Sequence, residues 1–437
     1  SRGLEYVVSG ELDKRETSPS IEGRSRVEQT AGPMVTLADI QAAARRLRPH
    51  LRRTPCVLSE ALSEASGCQV YLKFENLQRT GSFKERGALN RLLQLPESER
   101  AKGVVTASAG NHAQALAHHA TRLGIPSSIV MPRHTPINKI TSTRRRGGKV
   151  ILHGEAFDDA LAHARSLAVA EGATFVHGFD DEAVVAGQGT LALELVEERI
   201  PLGAIVVPVG GGGLIAGCAL ALKSHDPAIR VIGVEPERCA SMLESIRAGS
   251  PVTIESRPSI ADGLAVKAPG AIPFAIVRDR VDELLTVSEE EVANAILVLL
   301  EVEKTMAEGA GAAGLAALLN RPSLRDELRG TAVVVPITGG NLDVNVLSRI
   351  IDRGLAKDGR LAKLRVFVPD RPGSLAMVSR LIADAGANVL DIFHVRAFAP
   401  TDVGEVALDF VLETRGHDHL EDVLRELSSH GLRPEHR

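Results

Sequence analysis

Short apolar runs alternate with Ala- and Leu-rich stretches along most of the chain. The runs that predict strands lie at 103–106, 128–131, 149–152, 174–176, 204–209, 230–235 and 332–337. Runs without polar alternation are typical of strands buried on both faces, as in parallel sheets covered by helices. Small-molecule sites in such folds lie at the carboxyl ends of the strands. The pattern therefore predicts an α/β region whose functional loops follow its strands.

The pattern changes in the last quarter of the chain. Polar and charged residues at 351–362 predict a linker between a catalytic region at 34–350 and a second domain at 363–437. The second domain has a predicted βαββα order, with strands at 364–368, 388–398 and 405–413 and helices at 374–385 and 420–429. A last strand is expected to be weak because Pro434 interrupts it. This order predicts a small α+β domain.

Composition excludes several classes of function. The 437 residues include 51 Lys+Arg and 55 Asp+Glu, a net charge of -4 that calls for neither nucleic acid nor an anionic membrane as a partner. The longest apolar run, 295–300, is far shorter than the roughly 18 residues of a membrane span. The cysteines form no CxxC pair, so no metal site or disulfide framework is expected and a reducing, cytoplasmic compartment is favoured. They are Cys56, Cys68, Cys218 and Cys239.

Residues 1–33 are polar and irregular. Ile21-Glu22-Gly23-Arg24 is typical of an engineered protease site, and Met34 of a native start. We therefore interpret 1–33 as an added segment, with a natural disordered extension as the alternative. Neither interpretation affects the chemistry.

The strongest local signal is the run Gly210-Gly211-Gly212-Gly213-Leu214, between a predicted strand and an apolar helix. Backbone N–H groups of such a run can surround an anion, and the helix N-terminus adds a favourable dipole. A phosphate site is predicted. A nicotinamide dinucleotide stays open as an alternative, because Gly211, Gly213 and Ala216 fit the GxGxxA fingerprint and Glu235 ends the next strand. No hydride-transfer constellation accompanies it.

Three more polar groups lie on predicted loops. Lys84 follows small residues at a predicted helix start, where the helix dipole and the ring of Phe83 would lower its ammonium pKa and favour the neutral amine of Schiff-base chemistry. Asn111, at a second helix start, can donate to a phenolate-like oxygen. Thr338 presents a hydroxyl in a glycine-rich turn. Each segment could be an ordinary turn by itself, and Lys84 an ordinary surface lysine. Together with the glycine run, the three segments predict one site.

These motifs resemble the serine/threonine dehydratases, which are pyridoxal-phosphate (PLP) enzymes with the two-lobed fold type II of the tryptophan-synthase β-subunit. The resemblance covers about 35–350, and the tail resembles an ACT regulatory domain. The motifs of the catalytic region are Gly81-Ser82-Phe83-Lys84-Glu85-Arg86-Gly87, Ser108-Ala109-Gly110-Asn111-His112, Gly210 to Leu214 and Thr338-Gly339-Gly340-Asn341. Those of the tail are Asp370-Arg371-Pro372-Gly373-Ser374-Leu375 and Gly386-Ala387-Asn388-Val389.

The resemblance implies a role for each matching residue. Lys84 matches the Schiff-base lysine and catalytic base, Asn111 the partner of the ring hydroxyl, and Thr338 the residue at the pyridine nitrogen. A hydroxyl there makes the ring a moderate electron sink, which suits elimination over transamination. Other cofactor contacts are implied for Phe83, Gly210, Gly211, Gly212, Gly213, Leu214 and Glu308. The substrate carboxylate is implied to bind at Ser108, Ala109, Gly110, Asn111 and His112.

The implied reaction is α,β-elimination of threonine to 2-oxobutanoate and ammonia, with serine giving pyruvate, at the entry to isoleucine biosynthesis. Lys84 would remove the α-proton, and the cofactor phosphate would protonate the leaving hydroxyl. Two residues of this sequence depart from the family's pattern. Ala109 replaces the second serine of racemases, so racemisation should be weak or absent. Ser241 replaces the acid that pairs with the family's counterpart of Glu235 at a cation site, which makes a divalent metal doubtful.

ACT-like units typically pair with one another and bind amino acids near their first turn. The resemblance therefore implies a homo-oligomer, a dimer or tetramer, that is regulated by an amino acid, with isoleucine as the expected effector. The implied contacts are Asp370, Pro372, Gly373, Ser374, Leu375 and Asn388. A purely oligomerising tail is the alternative. A β-replacement synthase and a catalytically silent amino-acid sensor also stay open for the whole chain.

Overall fold

The computed structural model describes residues 35–396 and 404–437, which form two compact units that divide between Leu342 and Asp343. The segment 1–33, predicted to be an addition, lies outside the described residues. Strands of the first unit are β1 (Cys56–Leu58), β2 (Gln69–Lys73), β3 (Val104–Ala107), β4 (Ser127–Met131), β5 (Lys149–Leu152), β6 (Thr174–Phe175), β7 (Leu202–Pro208), β8 (Arg230–Pro236), β9 (Glu283–Val287) and β10 (Ala332–Pro336).

Helices of the first unit cover the faces of its sheets. They are α1 (Leu37–Leu47), α2 (Glu60–Ser66), α3 (Lys84–Leu93), α4 (Glu97–Arg100), α5 (Asn111–Arg122), α6 (Ile137–Arg145), α7 (Phe157–Glu171), α8 (Glu182–Glu197), α9 (Gly213–His225), α10 (Ser241–Ala248), α11 (Ala271–Arg280), α12 (Glu289–Glu301), α13 (Gly309–Asn320) and α14 (Pro322–Glu327). Within the described ranges, none of the protein's helices is long and apolar enough to cross a membrane.

The strands of the first unit form two sheets. One has the order β1-β2-β10-β7-β8-β9 and is parallel except where β1 pairs with β2, and the other has the parallel order β5-β4-β3-β6. The predicted parallel α/β architecture is therefore confirmed, and every predicted strand of this region is present. The apolar pattern missed β1, β2 and β9. β1 is only three residues long, and polar residues occupy Gln69 and Lys73 of β2 and Glu283 and Thr286 of β9, so none of the three contains a long apolar run.

Glycines bring α3, α8 and α9 into backbone contact. A Cβ atom added to Gly187 of α8 would lie 2.6 Å from the carbonyl oxygen of Arg86 in α3. A Cβ added to Gly217 of α9 would lie 2.5 Å from the carbonyl oxygen of Val185 in α8. Since real Cβ atoms do not approach so closely, only glycine permits these crossings. They fix the start of α3, where Lys84 lies, relative to the start of α9, where the glycine run lies.

A buried ionic network also attaches α3 to its neighbours. Arg86 is fully buried, with guanidinium nitrogens 2.7 Å from carboxylate oxygens of both Glu75 and Glu194. Lys73, equally buried, lies 2.7 Å from Glu194. Removal of one partner from such a network leaves a buried charge uncompensated, which typically costs about 3–5 kcal/mol. The network therefore allows α3 little freedom to shift.

The second unit has one antiparallel sheet of order β12-β13-β11-β14. Two helices, α16 and α17, cover it around a core that includes Val366, Val378 and Phe410. Its elements are α15 (Val344–Lys357), β11 (Leu361–Pro369), α16 (Ser374–Asp384), β12 (Asn388–Val395), β13 (Glu405–Glu413), α17 (His417–Ser429) and β14 (Arg433–His436). The predicted βαββα order is present.

The predicted linker 351–362 contains the second half of α15 and the start of β11, because its Arg, Leu and Ala residues favour a helix that Asp343 caps. The expectation that Pro434 interrupts the last strand is wrong: β14 pairs with β11, and Pro434 lies opposite Val366. An edge strand tolerates proline because an edge needs only half of its backbone groups for pairing. The predicted end of the strand at 388–398 lies partly outside the described residues.

We expect Gly217→Ala to lower the free energy of unfolding by roughly 1–3 kcal/mol, because the added methyl group would overlap the backbone of α8. Chemical denaturation followed by circular dichroism measures this change. Gly404→Ala is the matched control, since the same methyl group there would meet no atom of the described residues within 4 Å. Equal stability of the two variants would contradict the close-packing argument.

Candidate active site

The loop before α3 and the loop after β10 are joined by backbone hydrogen bonds. Phe83 N–H donates to the carbonyl of Thr338 at 3.0 Å, and Gly340 N–H donates to Gly81 at 2.9 Å. Gly81 has a φ of +79°, a conformation that L side chains rarely adopt. Because β2 and β10 are parallel neighbours, both loops leave the same edge of the sheet. Two of the predicted motifs are thereby brought together.

Lys84 is the first residue of α3, as its sequence context predicts. Its Nζ donates to the carbonyl of Gly178 at 2.8 Å and lies 5.1 Å from the centroid of the Phe83 ring. Burial lowers the pKa of Lys84 to about 8, although the carboxylate of Glu308 opposes the shift. The amine is therefore available in its neutral form far below the ordinary pKa of a lysine.

The glycine run joins β7 to α9 in a conformation that requires glycine. Gly212 has a φ of +90°, and a Cβ atom added to Gly211 would lie 2.3 Å from the ring of Phe179. The first hydrogen bond of α9 runs from Ala216 N–H to Gly212 at 3.0 Å. The N–H groups between them have no acceptor within the helix. The run thus offers backbone donors at a helix N-terminus, which fits a phosphate group.

Asn111 and Glu308 contact each other although 196 residues separate them in the chain. Asn111 Nδ2 donates to Glu308 Oε1 at 2.5 Å, and Asn111 Oδ1 accepts from Asn341 Nδ2 at 2.8 Å. Burial, with a smaller contribution from the charge of Asp262, raises the pKa of Glu308 to about 7. The hydrogen bond from Asn111 and the charge of Lys139 act in the opposite direction.

The other residues of the asparagine loop, Ser108 to His112, shape its backbone. Ser108 Oγ accepts from the N–H groups of Gly110 at 3.3 Å and Ala113 at 3.2 Å, so the hydroxyl proton of Ser108 points elsewhere. His112 is buried and lies 3.3 Å from the carbonyl of Val176 through Nε2. Burial lowers the pKa of His112 to about 3, so its imidazole is neutral. Ala109 has no polar side chain to contribute.

Thr338 is buried between α13 and the loop before α3, Gly81 to Phe83, which we call the lysine loop. Its carbonyl accepts from Phe83, and its hydroxyl lies 3.4 Å from the carbonyl oxygen of Ala310. That separation makes a weak hydrogen bond, so the hydroxyl can exchange this partner for a stronger one.

Glu235 does not suit the nicotinamide alternative. Its carboxylate is fully buried. It accepts hydrogen bonds from the backbone N–H groups of Met242 at 2.9 Å and Leu243 at 2.8 Å, in the first turn of α10. Burial raises the pKa of Glu235 to about 8 despite these two bonds. A ribose-binding acid must face the ligand, whereas this one caps a helix. Within the described residues there is no cluster of three His, Cys, Asp or Glu side chains able to hold a metal.

The arrangement fits pyridoxal phosphate group by group. The loops offer an amine with a depressed pKa, a glycine run that tolerates no Cβ, an amide and a hydroxyl, which are groups of the kinds that can hold the aldehyde, phosphate, ring hydroxyl and ring nitrogen of that cofactor. Ser82 Oγ and His112 Nδ1 are buried without a hydrogen-bond partner beside these loops. Unsatisfied buried polar atoms are rare in folded proteins and are typical of places where a ligand or water binds.

Comparison with known proteins identifies the class. Residues 47–339 match the family of pyridoxal-phosphate dependent enzymes, and residues 362–431 match the ACT domain. The chain therefore belongs to the pyridoxal-phosphate dependent enzymes and carries a C-terminal ACT domain.

Individual relatives are similar over nearly the whole chain. The L-threonine ammonia-lyase of Thermotoga maritima is 48% identical over 91% of this chain and 98% of its own length. The protein of the same name from Geobacter sulfurreducens is 47% identical over 90% and 97%. Among solved structures, threonine deaminase isoform 2 of Solanum lycopersicum has a TM-score of 0.69 at 35% identity, covering 73% of this chain and 94% of that one. Maize serine racemase has a TM-score of 0.69 at 33% identity, covering 74% and 98%.

Sequence reasoning missed three residues of this site. Gly178, which accepts from Lys84, and Phe179, which packs on Gly211, lie in the loop between β6 and α8, where no motif marks them. Asn341 closes the Thr338-Gly339-Gly340-Asn341 motif, but the motif alone assigns it no role. Its position at the end of a glycine turn is a signal for one, because a polar side chain there can reach neighbouring loops.

We expect Lys84 in the cofactor-free protein to become reactive as pH rises through about 8, because its amine loses its proton there. Labelling with acetic anhydride at graded pH, followed by peptide mass spectrometry, measures the midpoint. Glu308→Gln should move the midpoint to lower pH, since the carboxylate raises the pKa of Lys84. An upward movement in that variant would contradict the assigned electrostatics.

Proposed function

We propose that the protein is an L-threonine ammonia-lyase that converts L-threonine to 2-oxobutanoate and ammonia, and L-serine to pyruvate. The observation that carries the proposal is the convergence of Lys84, the glycine run, Asn111 and Thr338 on one edge of the fold. The similarity to proteins named threonine ammonia-lyase over nine-tenths of the chain supports the choice of substrate.

Each of these residues or motifs would hold a different part of the cofactor. Lys84 would hold its aldehyde carbon, Gly210 to Leu214 its phosphate, Asn111 its ring hydroxyl and Thr338 its ring nitrogen, with Phe83 and Glu308 beside the ring. The bound cofactor supplies an electron sink for charge that develops at the substrate α-carbon. Because Thr338 offers a hydroxyl and no carboxylate, it would not hold the ring nitrogen fully protonated, which would suit elimination over transamination.

The chain's own groups bind the substrate and move its proton. The hydroxyl of Ser108 and the backbone N–H groups of Ala109, Asn111 and His112 lie at the N-terminus of α5, where a carboxylate is stabilised, whereas the N–H of Gly110 donates to Ser108. Lys84, as a neutral amine, accepts the α-proton. Its pKa of about 8 leaves a useful neutral fraction near pH 7. Ala109 offers no acid or base to return a proton to the face of the substrate α-carbon opposite Lys84. Racemisation should therefore be weak or absent.

We also propose that the ACT domain makes the enzyme an isoleucine-regulated homo-oligomer, a dimer or tetramer, of the cytoplasm. Gly373 precedes α16 with a φ of +95°, which turns the chain so that Ser374 begins the helix beside Pro372. Asn388 donates to Glu413 at 3.2 Å, and Asp370 pairs with Arg396. Leu375 is 40% exposed, so an effector side chain has an apolar surface to contact. The cysteines are all free thiols, as suits a reducing compartment.

Lys84→Ala should abolish release of 2-oxobutanoate and the visible absorbance band of the bound cofactor together. The measurement is a keto-acid assay with threonine and with serine, plus a spectrum of each purified protein. Lys149→Ala, at an exposed position of β5, is the matched control and should change neither. Normal turnover by Lys84→Ala would refute the proposal, and replacement products formed with an added thiol would favour a β-replacement synthase.

Isoleucine should change the initial rate with threonine, and Asn388→Ala should weaken that response without altering the rate in its absence. Rates measured at increasing isoleucine concentrations test both. Kinetics that do not change at saturating isoleucine, with valine and leucine compared in parallel, would leave the domain structural or specific for another effector.

A further inference from the structure

Asn341 connects the loops that carry the candidate site. Its side-chain Nδ2 donates to the carbonyl oxygen of Thr80 at 2.8 Å and to Asn111 Oδ1 at 2.8 Å. Asn111 Nδ2 in turn donates to Glu308 Oε1. A Cβ atom added to Gly81 would lie 2.7 Å from Asn341 Oδ1, so the amide has little room to move. The Asn341 side chain thus joins the loop before α3 to the asparagine loop, and Asn111 continues the series of hydrogen bonds to Glu308, directly before α13.

The carbonyl oxygen of Thr80 fixes the direction of each hydrogen bond in the series that runs through Asn341 and Asn111 to Glu308. A backbone carbonyl such as that of Thr80 can only accept, so the Asn341 amide must direct its nitrogen there. The same nitrogen carries a second hydrogen, which goes to Asn111. Asn111 must therefore present its oxygen to Asn341 and its nitrogen to Glu308. This assignment follows from the partners and does not depend on distinguishing oxygen from nitrogen in the amide itself.

Glu308 could not set this orientation alone. Because the pKa of Glu308 is raised to about 7, its carboxyl is partly protonated near neutral pH. An ionised carboxylate accepts from Asn111 Nδ2, but a protonated one can donate to Asn111 Oδ1. Either orientation of Asn111 would then be satisfied. Asp262, Lys139 and Lys84 are the charged groups that act on this titration.

We propose that Asn341 is a positioning residue that holds the Asn111 amide with its N–H, and not its carbonyl, available to the ring hydroxyl of the cofactor. The inference rests on the proposed function, because it takes Asn111 as the partner of that hydroxyl. A donated hydrogen bond stabilises the ionised hydroxyl, whereas a facing carbonyl favours its protonated form. Asn341 therefore keeps the cofactor in its ionised, visible-absorbing form across the titration of Glu308.

The test compares absorbance against pH for reconstituted holoenzymes. Asn341→Ala should show a new inflection near the Glu308 titration, losing visible absorbance to a near-ultraviolet band as pH falls. The double variant Asn341→Ala/Glu308→Gln should lose that inflection. Asn341→Asp, whose carboxylate accepts from Asn111, should favour the near-ultraviolet band throughout. Asn320→Ala removes a similar bond, from Asn320 Nδ2 to Ala316 at 2.9 Å, at the other end of α13 and should leave the spectrum unchanged.

Cofactor content and melting temperature are measured on every variant. Spectra of Asn341→Ala and Asn341→Asp that superimpose on the unmodified protein would overturn the inference. Loss of cofactor from both variants would do so as well, because the contacts of Lys84 and the glycine run are untouched. If the unmodified protein binds no cofactor or releases no keto acid, the proposed function fails, and that result is distinct from any of these.

Discussion

Close backbone contact among α3, α8 and α9 is the constraint on which the site depends. Gly187 and Gly217 allow these helices to approach until side chains no longer fit between them. Lys84 begins α3, and the glycine run begins α9, so the separation of the amine and the glycine run is set by helix packing. The buried Arg86 network strengthens the same arrangement, since a shift of α3 would separate buried charges from their partners.

The same packing buries two ionisable groups of the site and shifts their pKa values. Burial lowers the pKa of Lys84 to about 8 and raises that of Glu308 to about 7, which brings both groups into the range where protons are exchanged near neutral pH. Such opposite shifts in one site are typical of enzymes that perform proton transfer. The hydrogen-bonded amides of Asn111 and Asn341 couple these groups to the loops that hold them.

The ACT domain illustrates how local signals can mislead. The charge-rich segment 351–362 includes the second half of α15, because arginine, leucine and alanine favour helix whether or not they are exposed. Pro434 predicts a weak last strand, yet β14 forms at the edge of the sheet. Composition alone does not reveal which neighbour a segment will meet.

The parallel α/β class, the glycine run, the lysine at a helix start and the loops at strand ends can be predicted from the residues alone, because they follow from periodicity and from backbone conformations that only certain residues adopt. Which of these residues meet depends on the packing of the folded chain. The contacts of Lys84 with Gly178, of Asn111 with Glu308 and of Asn341 with Thr80 join segments far apart in the chain. The nicotinamide fingerprint shows the same limit: Glu235 has the right spacing, but its carboxylate caps α10. Spacing fixes position along the chain, whereas the direction of a side chain depends on what packs against it.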